Sequence, residues 1–169
     1  MADHLRFEPF DRRRHDRSGF DCGVAPLNTY LCTSLGQHGR KDLTRGYVAA
    51  DAEHRVVGYF TLAAGRLSVS VLPSRGNLPA RMPLPTTLLA RLAVDRSWQG
   101  RGVGGALLAY ALRVAVRAAD EIASAVIEVD AKDDTARSFY ARHGFQSLVD
   151  DRLHMYLPME TARRVVTTE

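Results

Sequence analysis

The sequence predicts an α/β (α+β) fold built on one mixed sheet. Three observations carry this reading. Apolar stretches with strand-like patterning interleave with stretches of helical spacing along the 169 residues. The middle of the chain, from "LLARLAVD" to "DDTARSFYARHG", reads strand, glycine-rich loop, helix, strand, helix. On either side stand pairs of strands separated by turn residues.

Taken in order, "LRFEPF" at residues 5–10 alternates apolar and polar and predicts a first strand. "DRRRHDRSGFDCG" is polar and turn-rich. A helix is expected from Pro26, a residue tolerated at a first helical position, with Leu27, Tyr30, Leu31 and Leu35 on its apolar face and Gly36 or Gly39 at its end. "RGYVAAD" and "RVVGYFTLAAGRLSVSVL" flank the turn "AEH" as an antiparallel hairpin, with a bend expected at Gly65. "PSRGNLPARMPLP", residues 73–85, holds four prolines and predicts an ordered surface loop. "LLARLAVD" is a short apolar strand. The helix after it spans about residues 102–118 by its 3.6-residue apolar face. "SAVIEVDA" is a second buried-type strand. "DDTARSFYARHG" is a shorter helix, with Asp133 or Asp134 as N-cap and Gly144 as its stop. "FQSLV" and "LHMYLPM" close the fold as a hairpin, and the tail is expected to fray.

Length and composition suit a single domain over 1–160 with a tail at 161–169; 46% of residues are hydrophobic and 25% charged. Lysine and arginine total 23 against 19 acidic residues, a net charge of +4. That permits a polyanionic partner without requiring one. Two cysteines, Cys22 and Cys32, with no CxxC or Cys/His cluster, argue against a zinc site or a disulfide framework. No apolar signal core and no run of membrane-spanning length is present, so a soluble, cytoplasmic protein is expected.

Residues 97–108, "SWQGRGVGGALL", carry the chemistry. The first N–H groups of a helix have no partner within it, and the helix dipole favours negative charge there. Glycines let a phosphate come close to them. Two phosphate motifs can be laid over the stretch. Gly100, Gly102 and Gly105 fit the dinucleotide pattern G-x-G-x-x-G, while Gln99, Gly102 and Gly104 fit the acyl-coenzyme A pattern Q-x-x-G-x-G. Against the first, "RSWQ" separates Asp95 from Gly100, whereas a dinucleotide fold places its glycine directly after the strand, and only one βαβ unit is convincing. The acidic residue that fold needs is nevertheless available as Glu128 or Asp130. No Lys-Ser or Lys-Thr follows the glycines, which excludes a Walker loop.

The second half of the pattern is "DDTARSFYARHGF". With "LARLAVDRSWQGRGVGGALL" it resembles the acetyl-coenzyme A site of the GNAT acetyltransferase superfamily. That resemblance implies a mixed sheet of about six to seven strands with a V-shaped splay, flanked by about four helices. It implies acetyl-CoA as cofactor. The backbone of Leu92, Ala93 and Val94 would pair with the pantetheine. Gln99, Gly100, Arg101, Gly102, Val103, Gly104 and Gly105 would hold the pyrophosphate, and Asp133 would contact the pantetheine or serve only as the N-cap of its helix. Tyr140 would protonate the leaving thiolate. A phenol near 10 and a thiol near 8.5 make that transfer chemically reasonable. Many members carry a glutamate on the strand before the loop as general base; here that strand offers only Asp95. Either water or backbone relays the proton from the amine, or the amine needs little help; the gap leans towards an α-amine substrate, which titrates near 8, over lysine near 10.4.

"FDCGVAPLNTYL", "VVGYFTLAAGRL" and "VDAKDDTARSFYARHGF" resemble, more narrowly, the GNAT-type toxins of bacterial toxin–antitoxin systems, over roughly residues 6–158. Such a likeness implies acetylation of the α-amine of aminoacyl-tRNA, a block of translation, a ribbon-helix-helix antitoxin as partner and a homodimer. Arg91, Arg45, Arg81, Arg75 and Lys41 are the residues expected to meet tRNA, Arg91 foremost because it sits on the strand entering the cleft. Phosphate neutralisation by such residues makes binding salt-dependent. "RRRHDR" at 12–17, balanced by Asp11 and Asp16, reads as a solvated turn.

Overall fold

The computed structural model describes residues 4–168. Its elements run β1 (Arg6–Pro9), α1 (Ala25–Thr33), α2 (Leu35–Arg40), β2 (Arg45–Ala50), β3 (Val56–Ser68), β4 (Pro83–Val94), α3 (Val103–Glu121), β5 (Val126–Asp130), α4 (Asp134–Arg142), β6 (Gln146–Ser147), β7 (His154–Pro158) and α5 (Met159–Thr167). The seven strands form one mixed sheet in the order β1-β2-β3-β4-β5-β7-β6. β4 and β5 are parallel; β1–β2, β2–β3, β5–β7 and β6–β7 are antiparallel. No helix among the described residues is long and apolar enough to cross a membrane.

The chain divides into two compact units. The first comprises the residues up to Ala63 with Ala90–Ala111, the second Ala64–Leu89 with the residues from Leu112 onward. β3, β4 and α3 each run from one unit into the other.

In the first unit, Tyr30, Leu31 and Leu35 pack with Val48, Ala50, Val56, Tyr59 and Ala93. The predicted helix continues past Gly36 and Gly39, but it breaks at Ser34 and restarts as α2. Packing explains the restart. Leu35 is fully buried over Gly46, where an added β-carbon would stand 2.5 Å from Leu35 Cδ1. Glycine at position 46 is what lets α2 lie so close to β2. The Tyr59 hydroxyl donates to Leu27 O at 2.7 Å and ties α1 to β3.

In the second unit, Thr86–Leu89 of β4 pair with Val126–Val129 of β5. Leu67, Val69, Leu84, Val126, Leu148 and Tyr156 form its core. The loop expected over 73–85 ends earlier, because β4 begins at Pro83 and contains Pro85. Proline fits at the start of a strand, where its missing N–H breaks no ladder; the Pro85 carbonyl still accepts from Ala125 N at 2.8 Å. Residues 159–167, expected largely as a frayed tail, are helical, with Met159 and Ala162 buried.

Candidate functional site

The glycine loop lies in the first unit and is built from the end of β4. A 3-10 turn, Arg96–Trp98, follows Asp95. Asp95 caps it: Oδ1 accepts from Ser97 N at 2.9 Å and from Ser97 Oγ at 2.6 Å, while Oδ2 accepts from Asp21 N at 2.9 Å. Burial pushes this carboxyl upward, but the hydrogen bonds overcome it and the net shift is downward. The sole carboxylate on the strand before the loop is therefore engaged in holding the loop, and it is a poor proton acceptor.

Gln99 is engaged in the same way. Its Nε2 donates to Val94 O at 2.9 Å and to Cys22 O at 3.1 Å. The carboxamide thus clamps the loop to β4 and to the segment before α1. Gly100 and Gly102 both take left-handed backbone, at φ 75° and 83°. A β-carbon added at either would meet nothing within 4 Å. Conformation, not crowding, requires glycine there, and the space above the backbone is open for a ligand. Ala106 N donates to Gly102 O at 3.1 Å and closes the first turn of α3, within which Val103, Gly104 and Gly105 stand. Their N–H groups precede any intrahelical partner. Arg101 is stacked on Trp98, 4.2 Å from the ring centroid, and its Nη1 donates to Ser97 O. Helix N–H groups without intrahelical partners, a positive dipole end and a guanidinium beside them suit an anionic ligand.

Leu92, Ala93 and Val94 close β4 in the same unit, with Ala93 buried. Arg91, just before them, lies with its guanidinium 3.5 Å from the Tyr30 ring centroid. Tyr30 is itself held by His38 Nδ1 at 2.9 Å from its hydroxyl, and its ring stacks on Tyr59. Arg91 forms no ion pair or hydrogen bond among the described residues. A flat, half-buried guanidinium with free N–H edges is suited to an anionic oxygen.

Asp133 and Tyr140 lie in the second unit. Asp133 is the N-cap of α4, accepting from Ala136 N at 2.8 Å. Tyr140 is 7% exposed, with its ring against Phe139 and Phe145. Burial pushes its phenol up to about 12. Its hydroxyl has no hydrogen-bond partner among the described residues, so its proton is available to a ligand. Of the basic residues expected to meet tRNA, Arg45 is committed to Asp42 Oδ1 at 2.7 Å and Gly39 O at 2.9 Å. Lys41, Arg75 and Arg81 are exposed.

The environment of one buried carboxylate was not legible in the sequence, where Glu128 stood only, with Asp130, as the acidic residue a dinucleotide fold would need. Glu128 is 6% exposed; Oε1 accepts from Thr86 Oγ1 at 2.8 Å and Oε2 meets His154 Nε2 at 2.8 Å. His154 Nδ1 lies 3.0 Å from Asp150 Oδ2. The alternation of "SAVIEVDA" placed Glu128 on a face, but its partners come from β4 and β7 and no local spacing reveals them.

A family model for the acetyltransferase (GNAT) domain matches residues 43–147. The protein belongs to the GNAT acetyltransferases. Within them it is homologous to the GNAT-type toxins of toxin–antitoxin systems. It is 37% identical over 151 residues to a tRNA-acetylating toxin of Mycobacterium tuberculosis, covering 89% of this chain and 90% of that one. The structure of AtaT complexed with acetyl-methionyl-tRNAfMet superposes with a TM-score of 0.88 at 31% identity, over 95% of this chain and 98% of that one. A tyrosine-to-phenylalanine mutant of AtaT, bound to the C-terminus of the antitoxin AtaR and acetyl-CoA, gives a TM-score of 0.84 at 29% identity, over 98% and 99%.

Proposed function

We propose that the protein is an acetyl-CoA-dependent N-acetyltransferase toxin that acetylates the α-amine of aminoacyl-tRNA and so blocks translation. The observation that carries this is the likeness to a tRNA-acetylating toxin over 89% of the chain, together with an open glycine cradle of the chemistry coenzyme A needs. Acetyl-CoA, when bound, supplies the activated acetyl thioester. Gln99 keeps the loop seated on β4, and the backbone at Gly100–Gly105 with Arg101 takes the pyrophosphate. Leu92, Ala93 and Val94 offer backbone groups to the pantetheine. Asp133 fixes the start of α4, which carries Tyr140. Tyr140 holds its proton at neutral pH and donates it to the departing sulfur. Arg91 orients the acceptor through an anionic oxygen, supported by Arg75, Arg81, Lys41 and Arg45 at phosphates.

The engaged state of Asp95 supports an α-amine acceptor. With no free carboxylate on that strand, the amine must arrive neutral. Near neutral pH an α-amine near 8 is on the order of 200-fold more often neutral than a lysine near 10.4. A ribbon-helix-helix antitoxin would neutralise the toxin, and a homodimer is the working assembly. The test is incubation of charged tRNA with radiolabelled acetyl-CoA. N-acetyl-aminoacyl-tRNA is the expected product, and acetylation of free amines or peptides alone would overturn the reading.

A further inference from the structure

The stretch "RRRHDR" is balanced by acidic residues on paper, but in the folded first unit none of those carboxylates forms an ion pair with Arg12 or Arg13 among the described residues. Asp11 Oδ1 accepts from Arg13 N at 2.9 Å and Asp16 Oδ1 from Ser18 N at 2.9 Å, so both aspartates cap their own turns. Glu8 is taken by His15, whose Nε2 lies 2.8 Å from Oε1, and by Arg14 at 3.5 Å. The tautomer follows from the neighbours: Asp11 N donates to His15 Nδ1 at 2.9 Å, so Nε2 carries the proton given to Glu8. His15 has a fully buried side chain, which anchors this arrangement under the turn.

What remains is a groove of about 1100 Å³ lined by five arginines and only two carboxylates. The arginines are Arg12, Arg13, Arg14, Arg40 and Arg45; the carboxylates are Glu8 and Asp11. Arg14 and Arg45 have acidic partners. Arg12, Arg13 and Arg40 are exposed and have none among the described residues. Gly36 separates two of them: an added β-carbon there would stand 3.5 Å from Arg40 Nη1 and 4.0 Å from Arg12 Cδ. The turn at 12–14 and the helix α2 thus present three uncommitted guanidiniums around one open floor.

We infer that this groove is a phosphodiester-binding site, formed by Arg12, Arg13 and Arg40, that grips the backbone of the substrate tRNA apart from its aminoacyl end. The inference rests on the aminoacyl-tRNA reading of the function. Guanidiniums recognise phosphate bidentately, and several at one open groove suit a ligand of repeating charge. The site adds affinity and register without reading sequence.

The experiment compares wild type with Arg12→Ala/Arg13→Ala/Arg40→Ala and with the corresponding triple lysine variant. Binding of deacylated tRNA is followed by fluorescence anisotropy across salt concentrations. Acetylation is measured on charged tRNA and on a 3′-aminoacyl trinucleotide. In the alanine variant the log–log salt slope should fall by about two to three, since each lost phosphate contact removes about 0.7–0.9. KM for charged tRNA should rise at least tenfold, with the trinucleotide reaction and KM for acetyl-CoA unchanged. The lysine variant should retain the salt slope. An unchanged slope and KM in the alanine variant overturns the site. So does unchanged tRNA binding combined with lost binding of a polyglutamate peptide, which would make the groove a peptide site. Wild type that binds tRNA through these arginines but acetylates no charged tRNA refutes the aminoacyl-tRNA reading and leaves the groove standing.

Discussion

Replacing Tyr140 with phenylalanine separates chemistry from packing at one atom. The ring rests against Phe139 and Phe145 at centroid distances of 5.1 and 5.5 Å, and phenylalanine keeps those contacts. The lost hydroxyl has no hydrogen-bond partner among the described residues. Stability should therefore stay within about 0.5 kcal/mol of wild type, because neither a cavity nor an orphaned partner is created. Activity should fall steeply, by about 10²–10⁴ in kcat, the usual share of a general acid. Burial at a pKa of about 12 leaves roughly one phenol in 10⁴ or fewer ionised at pH 7.5. Tyr140 is thus a loaded donor throughout the neutral range. Measured against a free thiol near 8.5, full transfer is uphill by about 5 kcal/mol; the same desolvation raises a thiolate's basicity and narrows the gap. The assay is single-turnover acetylation of charged tRNA between pH 6.5 and 9, alongside urea unfolding. The rate of wild type should rise with pH as the amine loses its proton, with no falling limb from Tyr140, and the variant should keep that rising limb at a lower plateau. A phenylalanine variant with wild-type rate refutes the acid role. One that is slow but also several kcal/mol less stable refutes the separation of packing from chemistry.

Three further outcomes are expected. Gln99→Ala loses both bonds to Val94 O and Cys22 O, so unfolding free energy should drop by about 1–2 kcal/mol and KM for acetyl-CoA should rise with kcat little changed; an unchanged stability with a raised KM would instead mean that the side chain contacts the cofactor itself. At position 65 an alanine β-carbon would stand 2.4 Å from Thr86 Oγ1 and 2.7 Å from Glu128 Oε1; Gly65→Ala should cost about 1–3 kcal/mol and lower Tm by about 3–10 °C, and calorimetry showing no change would contradict the packing described. For His154, burial acts to lower the pKa, but the hydrogen bonds its ring donates to Asp150 and Glu128 outweigh it and the net shift is upward. The charged imidazole is therefore favoured in the folded state, so its contribution is complete below the ordinary histidine value of about 6.5 and is lost as pH rises through the folded value. Urea unfolding of wild type and His154→Gln should differ most near pH 5.5 and converge by pH 8.5; a gap that widens with pH would reverse the assignment.

The order of strands and helices was legible because periodicity is a local property: "RGYVAAD", "SAVIEVDA" and the face of α3 each declare themselves within a few residues. Departures fell where distant packing decides. α1 stops at Ser34 and restarts because Leu35 must settle over Gly46. Pro83 and Pro85 enter β4 because the ladder with β5 begins only at Thr86. The final segment is helical because Met159 and Ala162 are buried. The glycine loop was visible as a motif, whereas the left-handed backbone at Gly100 and Gly102 is seen only in the folded loop.

By itself the sequence determined the class of fold and the family likeness, because interleaved periodicities and a glycine loop of fixed spacing are written along the chain. It also determined that the strand before the loop has a single carboxylate. Only the tertiary structure decided what each polar group is free to do. Asp95 and Gln99 prove to be engaged with backbone groups of the segment before α1, Glu128 with His154 and Thr86, and Asp11 and Asp16 with their own turns. Tyr140, Arg91 and the arginines at 12, 13 and 40 are left with hydrogens to give. The physical reason is that a side chain's chemistry depends on which partners satisfy it. Most of those partners lie far along the chain, and where they lie close, as for the two capping aspartates, only the folded turn shows the bond made.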